Sequence, residues 1–149
     1  MREAESKVES RPGATASAGR LGIVIVEDSP ELCALLAEML TEIPGVDILG
    51  VADSEKSALE LLATQTPDLA VIDLELKSGN GLNVLAQIRA QEKKGSVKTL
   101  VFSNYANSII RNRCHMLGAT AFFDKSFQMD ELLDYVQAEA KGRSSKHGQ

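Results

Sequence analysis

Four apolar residues in succession, Leu69-Ala70-Val71-Ile72, are followed at once by a carboxylate, Asp73. An unbroken apolar run of this length suits a strand buried on both faces, the condition of parallel strands covered by helices. Leu21-Gly22-Ile23-Val24-Ile25-Val26 is a second such run, and Glu27 and Asp28 follow it. In open α/β sheets, ligands bind at the rim formed by the carboxyl ends of the strands. Two strands of one sheet would aim three carboxylates at one place, and such a cluster needs a cation or a reaction to justify it.

The alternation continues along the chain. Ser29-Pro30 supplies a cap and a first-turn proline for a helix carrying Leu32, Leu35, Leu36, Met39, Leu40 and Ile43, which Pro44-Gly45 stops. Val46 to Ala52 reads as a more polar edge strand. Ser54 caps a helix with Ala58, Leu61 and Leu62, closed by Thr66-Pro67. Lys77-Ser78-Gly79-Asn80-Gly81 opens a third helix with Leu82, Leu85 and Ile88. Thr99 to Phe102 forms a fourth strand ending at Ser103, and Ile110, Cys114 and Leu117 line a thin fourth helix. Ala121-Phe122-Phe123 is a fifth strand ending near Asp124-Lys125, before a last helix carrying Met129, Leu132, Leu133 and Val136. Alternating strands and helices imply a parallel sheet with right-handed crossovers and helices on both faces.

The chain has 149 residues, 44% of them hydrophobic, enough for one packed domain. Residues 1–20 lack Leu, Ile, Phe and Tyr and are expected to be a disordered tail; residues 142–149 are expected to be a flexible one. The domain between them spans residues 21–141. Net charge is −5, and residues 21–141 carry −8 of charge against positive tails. An acidic globule is a poor match for a nucleic-acid backbone, so no nucleic-acid partner is expected. No run approaches the roughly 20 apolar residues of a membrane helix, Met1-Arg2-Glu3-Ala4-Glu5 lacks the apolar core of a secretory signal, and a cytoplasmic location without a membrane partner is expected. Cys33 and Cys114 fall in helical patterns far apart and read as small buried hydrophobes. His115 reads as a surface side chain and His147 as an idle tail residue.

Polar residues thus follow four strands: Glu27 and Asp28, Asp73, Ser103, and Lys125. Each alone has an ordinary explanation: a cap, a turn, a solvated lysine. Their joint placement on one rim does not. Two carboxylates about 4 Å apart repel by roughly 4 kcal/mol at an effective dielectric of 20. A third carboxylate raises at least one pKa or recruits a cation. A hard divalent ion suits oxygen ligands, and Mg²⁺ uses one or two carboxylates, water and often a phosphate oxygen. An aspartate beside such an ion and a lysine is set up to attack phosphorus, with a serine hydroxyl donating to a phosphoryl oxygen. The residues point to a site that forms an aspartyl phosphate.

On these residues the chain resembles the response-regulator receiver domains of two-component signalling, over about residues 21–141. The likeness rests on Glu27-Asp28, Asp73, Gly81, Ser103 and the segment Gly118-Ala119-Thr120-Ala121-Phe122-Phe123-Asp124-Lys125. The intervals of 30 residues from Asp73 to Ser103 and 22 from Ser103 to Lys125 are usual for that family. The resemblance implies a single doubly wound, flavodoxin-like α/β domain whose five-stranded parallel sheet has order 2-1-3-4-5. It implies that Asp73 takes a phosphoryl group from a sensor histidine kinase or histidine phosphotransfer protein. Asp28, Asp73 and the Glu75 backbone carbonyl would ligate Mg²⁺, with Glu27 holding the metal through water. Ser103 would bond the phosphoryl group after moving inward, and Lys125 would pair with it. Phe122 would be the switch aromatic, coupling the site to the face of the fourth helix, fifth strand and last helix, where a downstream protein target binds.

Three positions depart from the family pattern. Ser126 stands where proline commonly follows the lysine, Lys77 stands where proline is frequent, and Phe122 lacks a tyrosine hydroxyl. The glycine-containing loop after Asp73 is expected to be mobile until metal binds. Glu75 and Tyr105 occupy positions that tune dephosphorylation in the family. The leading expectation is a stand-alone receiver with no DNA-binding output, not an enzyme beyond its own phosphorylation and dephosphorylation at Asp73. The alternative is a fragment of a longer regulator or hybrid kinase. Two remote readings are a haloacid-dehalogenase-type phosphatase, faintly echoed by Asp73-Leu74-Glu75, and a pseudo-receiver that only binds partners.

Overall fold

The computed structural model describes residues 8–10, 19–91, 97–105 and 107–147. The elements in chain order are β1 (Val8–Ser10), β2 (Leu21–Val26), α1 (Pro30–Thr41), β3 (Val46–Ala52), α2 (Glu55–Thr64) and β4 (Leu69–Ile72). They continue with α3 (Gly81–Ala90), β5 (Lys98–Ser103), α4 (Ser108–Met116), β6 (Ala121–Asp124) and α5 (Met129–His147). One sheet holds all six strands in the order β1-β3-β2-β4-β5-β6. The strands β2 to β6 pair in parallel. Without β1 they show the expected order 2-1-3-4-5 of a flavodoxin-like α/β fold.

The apolar runs explain the layers. Successive strand residues point to opposite faces. Ile23 and Ile25 of β2 therefore join Leu36 and Leu40 of α1 and Leu132 and Val136 of α5 on one side. Val24 and Val26 join Ala58 and Leu61 of α2, Val84 and Leu85 of α3, and Cys114 of α4 on the other. Cys33 is half-buried and Cys114 is buried, and neither forms a disulfide among the described residues. Local signals set the helix starts. Ser29 Oγ accepts from Leu32 N, with Pro30 in the first turn; Ser54 and Ser57 form a capping box; Asn80 and Asn107 cap α3 and α4.

The two ends differ from expectation. Within the segment read as a disordered tail, β1 pairs antiparallel with β3, Val8 opposite Ala52 and Ser10 opposite Gly50. An edge strand offers unpaired backbone N–H and C=O groups, and the short segment takes them up despite its polar composition. Residues 1–7 and 11–18 lie outside the described residues. At the other end, α5 runs on to His147, six residues into the segment read as a flexible tail. Arg143 holds the added turn: Nη2 lies 3.3 Å from Asp68 Oδ1, and Nε donates to the Arg20 carbonyl at 2.6 Å. Residues 148–149 are outside the described residues. No helix among the described residues is long and apolar enough to cross a membrane.

Candidate functional site

Strand register brings the acids together. Val26 pairs with Ile72, so Glu27 and Asp73 leave neighbouring strands side by side. Asp73 N donates to the Val26 carbonyl and Glu27 N to the Ala52 carbonyl, each at 2.9 Å, which extends the ladder one residue past each strand. Ser103 pairs with Asp124, and Lys125 N donates to the Ser103 carbonyl at 3.1 Å. The lysine therefore emerges on the same rim as the acids.

The Lys125 ammonium sits between two carboxylates, 3.0 Å from Glu27 Oε1 and 3.1 Å from Asp73 Oδ2. Backbone donors hold the other oxygens: Ser29 N donates to Glu27 Oε2 at 3.1 Å and Glu75 N to Asp73 Oδ1 at 3.3 Å. Glu27 and Asp73 are 3% and 4% exposed, and Asp28 and Lys125 are half-buried. One carboxylate oxygen from each of Glu27, Asp28 and Asp73 lies within 4.8 Å of the others. Together they line an open cavity of about 580 Å³, whose walls include Leu82, Asn104, Tyr105 and Ile110.

Burial pushes the Glu27 carboxyl above its ordinary pKa, and the Asp73 charge adds to the shift. Hydrogen bonds from Lys125 and Ser29 N offset only part of it. Burial also raises Asp73, with a smaller push from Asp28 and an opposing pull from Lys125. At Lys125, burial favours the neutral amine, but the Glu27 and Asp73 carboxylates outweigh it and leave the pKa above that of an ordinary lysine. One ammonium faces three carboxylates, so the pocket keeps an excess of negative charge. Its donors are oxygen atoms only and closely grouped, which fits one hard divalent cation of the Mg²⁺ class.

The loop between β4 and α3 is tied to α2. Glu55 Oε1 accepts from Asn80 N at 3.1 Å and from Asn83 Nδ2 at 3.2 Å, and Lys77 Nζ lies 3.1 Å from Asp53 Oδ2. Asn80 also bridges back to Glu75, and Gly81 N donates to the Leu74 carbonyl at 2.9 Å. Gly81 lies so close to the Asp73 carbonyl that a Cβ would collide with backbone. Gly79 takes a φ of +83° against the Glu55 side chain, a conformation and a space that both require glycine. Sequence reasoning found the glycines but missed Glu55, 25 residues from its partner Asn80. Only the cap signal at Ser54 marked that helix start.

Glu27, Asp28, Asp73 and Lys125 are thus assembled, and Glu75 lines the same cavity. Ser103 reaches the rim but is 1% exposed, and its Oγ accepts from Tyr105 N at 3.1 Å. Tyr105 faces the Glu75 carboxylate, which holds the phenol proton and raises its pKa. Phe122 stands away from the acids, half-buried, with the Arg111 guanidinium 4.6 Å from its ring centroid. The Lys125–Ser126 bond is trans.

The family model of the response regulator receiver domain matches residues 23–137. The transcriptional regulatory protein MalR of Bacillus subtilis is 30% identical over 112 residues, which cover 75% of this chain and 47% of MalR. This chain spans about half the length of the curated relatives it matches. Among solved structures, a LuxR-family two-component response regulator from Aurantimonas is 24% identical with a TM-score of 0.74, covering 86% of this chain and 94% of that one. The Mn²⁺-bound form of response regulator Rcp1 is 22% identical with a TM-score of 0.66, covering 79% of this chain and 90% of that one.

Proposed function

The chain belongs to the response regulator receiver family, and from that premise we propose that it is the phosphoacceptor of a two-component or phosphorelay pathway, with Asp73 as the acceptor. The observation that carries this reading is the Lys125 ammonium bonded to both Asp73 and Glu27 beside an excess of carboxylate. The donor is the phosphohistidine of a sensor kinase or phosphotransfer protein. Its P–N bond breaks as an O–P bond forms to an Asp73 carboxylate oxygen, and the departing imidazole nitrogen keeps the electron pair and takes up a proton. Hydrolysis of the acyl phosphate by water returns Asp73 and inorganic phosphate.

Asp28, Asp73 and the Glu75 carbonyl would hold Mg²⁺, and Glu27 would hold it through water. When bound, the ion neutralises charge on the transferring phosphoryl group. Lys125 keeps Asp73 oriented before transfer and pairs with a phosphoryl oxygen after it. Ser103 exchanges its bond from Tyr105 N for one that its hydroxyl donates to the phosphoryl group. Phe122 follows into the space vacated and leaves Arg111, altering the α4-β6-α5 face for a protein target. The chemistry is confined to Asp73, without turnover of other substrates. The name of MalR makes transcriptional control the output class to test first. The phosphatase reading gains no support, since Asp73 follows the third parallel strand in sequence and not the first.

Incubation with a small acyl phosphate and Mg²⁺, followed by intact mass measurement, tests the reading. One phosphoryl group per chain is expected, and none when the metal is chelated beforehand or in Asp73→Asn. Undiminished labelling of that variant would move the acceptor elsewhere.

A further inference from the structure

The mean charge of the chain hides a division. Residues 81–123 carry six basic side chains and one acidic one, a net of +5, within a chain of net −5. The structure places the helices of that segment, α3 and α4, next to each other, with an apolar groove along α4. Leu82, Ile110 and Leu117 line it, with Ile109, Arg113 and Met116 at its edge. Ile109 is 78% exposed and Met116 67%, which makes them two of the five large hydrophobic side chains standing in solvent among the described residues. Arg113 is exposed and makes no ion pair among the described residues. Arg89 Nη1 donates to the Met116 carbonyl at 3.0 Å, which fixes a second guanidinium at the end of α4. No acidic residue occurs on α4.

We propose that this groove docks an amphipathic helix of a partner protein, apolar on the face that enters and acidic on its flanks. Exposed Ile and Met side chains cost solvation unless covered, and a groove along a nine-residue helix, about 13 Å long, matches anchors at i, i+3 or i+4, and i+7. Arg113 at the groove and Arg89 at the end of α4 select acidic flanks and steer their approach. A nucleic-acid backbone would meet the same charge, but the exposed aliphatic edge offers it nothing. Leu82 and Ile110 line both this groove and the acidic cavity, so a change at Asp73 reaches the docking surface through shared side chains.

The test uses the whole unphosphorylated chain, so its outcome does not depend on the role of Asp73. Short random peptides displayed on phage are panned against the chain. The enriched peptides are expected to combine helically spaced aliphatic or aromatic residues with net negative charge. Their affinity should fall at least about tenfold in Ile109→Glu and in Arg113→Glu, with melting temperatures unchanged because both side chains are exposed. Raising the salt should weaken the wild-type interaction several-fold. Failure to enrich any peptide, enrichment of neutral or basic ones, or equal binding by Ile109→Glu would overturn the proposal. So would light scattering that shows a dimer dissociated by Ile109→Glu, or duplex DNA that competes for the groove.

Discussion

The two rims of the sheet use the same ionisable groups in opposite ways. At the amino rim opposite charges meet across elements: Arg20 and Asp47 at 2.8 Å, Arg143 and Asp68 at 3.3 Å, and Lys98 and Glu139 at 2.9 Å. These pairs stand partly in water. At the carboxyl rim three acids share one lysine, and Glu27 and Asp73 are almost wholly buried. The balanced rim joins elements: β3 to the start of β2, and α5 to β4 and β5. The unbalanced rim holds charge that folding alone would avoid. A fold keeps such a rim when something outside the chain completes it.

Removing the lysine should break the contrast most severely. Lys125→Met leaves two buried carboxylates facing each other and is expected to lower metal-free stability by about 3 kcal/mol. Urea unfolding with and without Mg²⁺ measures it, and the deficit should shrink when the ion is added. For the wild type, Mg²⁺ at a hundred times its dissociation constant should add about 2.7 kcal/mol, with no such gain in Asp28→Asn combined with Asp73→Asn.

Acid titration sharpens the contrast. A carboxyl whose folded pKa is raised binds its proton more tightly in the folded state, so its ionised form at neutral pH is a net cost. Stability from Glu27 and Asp73 therefore rises as pH falls through their raised values. Lys125, also raised, contributes below the ordinary lysine value, and that contribution is lost only at more alkaline pH. Metal-free Asp73→Asn should thus be more stable than wild type at neutral pH by about 1 kcal/mol, the scale of one charge interaction in a partly solvated pocket. The gap should close towards acid pH in thermal melts and reverse when Mg²⁺ is present at neutral pH. The smallest effect belongs to the other rim. Arg143→Ala should cost no more than about 1 kcal/mol, independent of Mg²⁺, as expected for a half-exposed pair.

What the sequence disclosed follows from the range of the forces involved. The runs Leu21–Val26 and Leu69–Ile72 were legible because burial on both faces leaves no polar position in them. Glu27, Asp28, Asp73 and Lys125 were legible because each lies within two residues of a strand's carboxyl end, and parallel register does the rest. β1 was not legible: Val8 is its only apolar residue, and its partner is the open edge of β3, which composition does not reveal. The end of α5 was hidden for a similar reason, since Gly142 and the polar residues after it argue for a tail until Arg143 meets Asp68. Glu55 reads as an ordinary first-turn acid; its hold on Asn80 exists only in three dimensions. The basic α3–α4 side was countable but was lost when residues 21–141 were summed into one acidic value.

The central claim is that the unbalanced rim is a divalent-cation site organised around Asp73. Calorimetric titration of Mg²⁺ into the metal-free chain tests it most directly. One saturable site is expected, weakened at least about tenfold in the Asp28→Asn, Asp73→Asn chain and retained in Arg143→Ala. Heat that never saturates, or equal binding by the chain lacking both aspartates, would contradict the account.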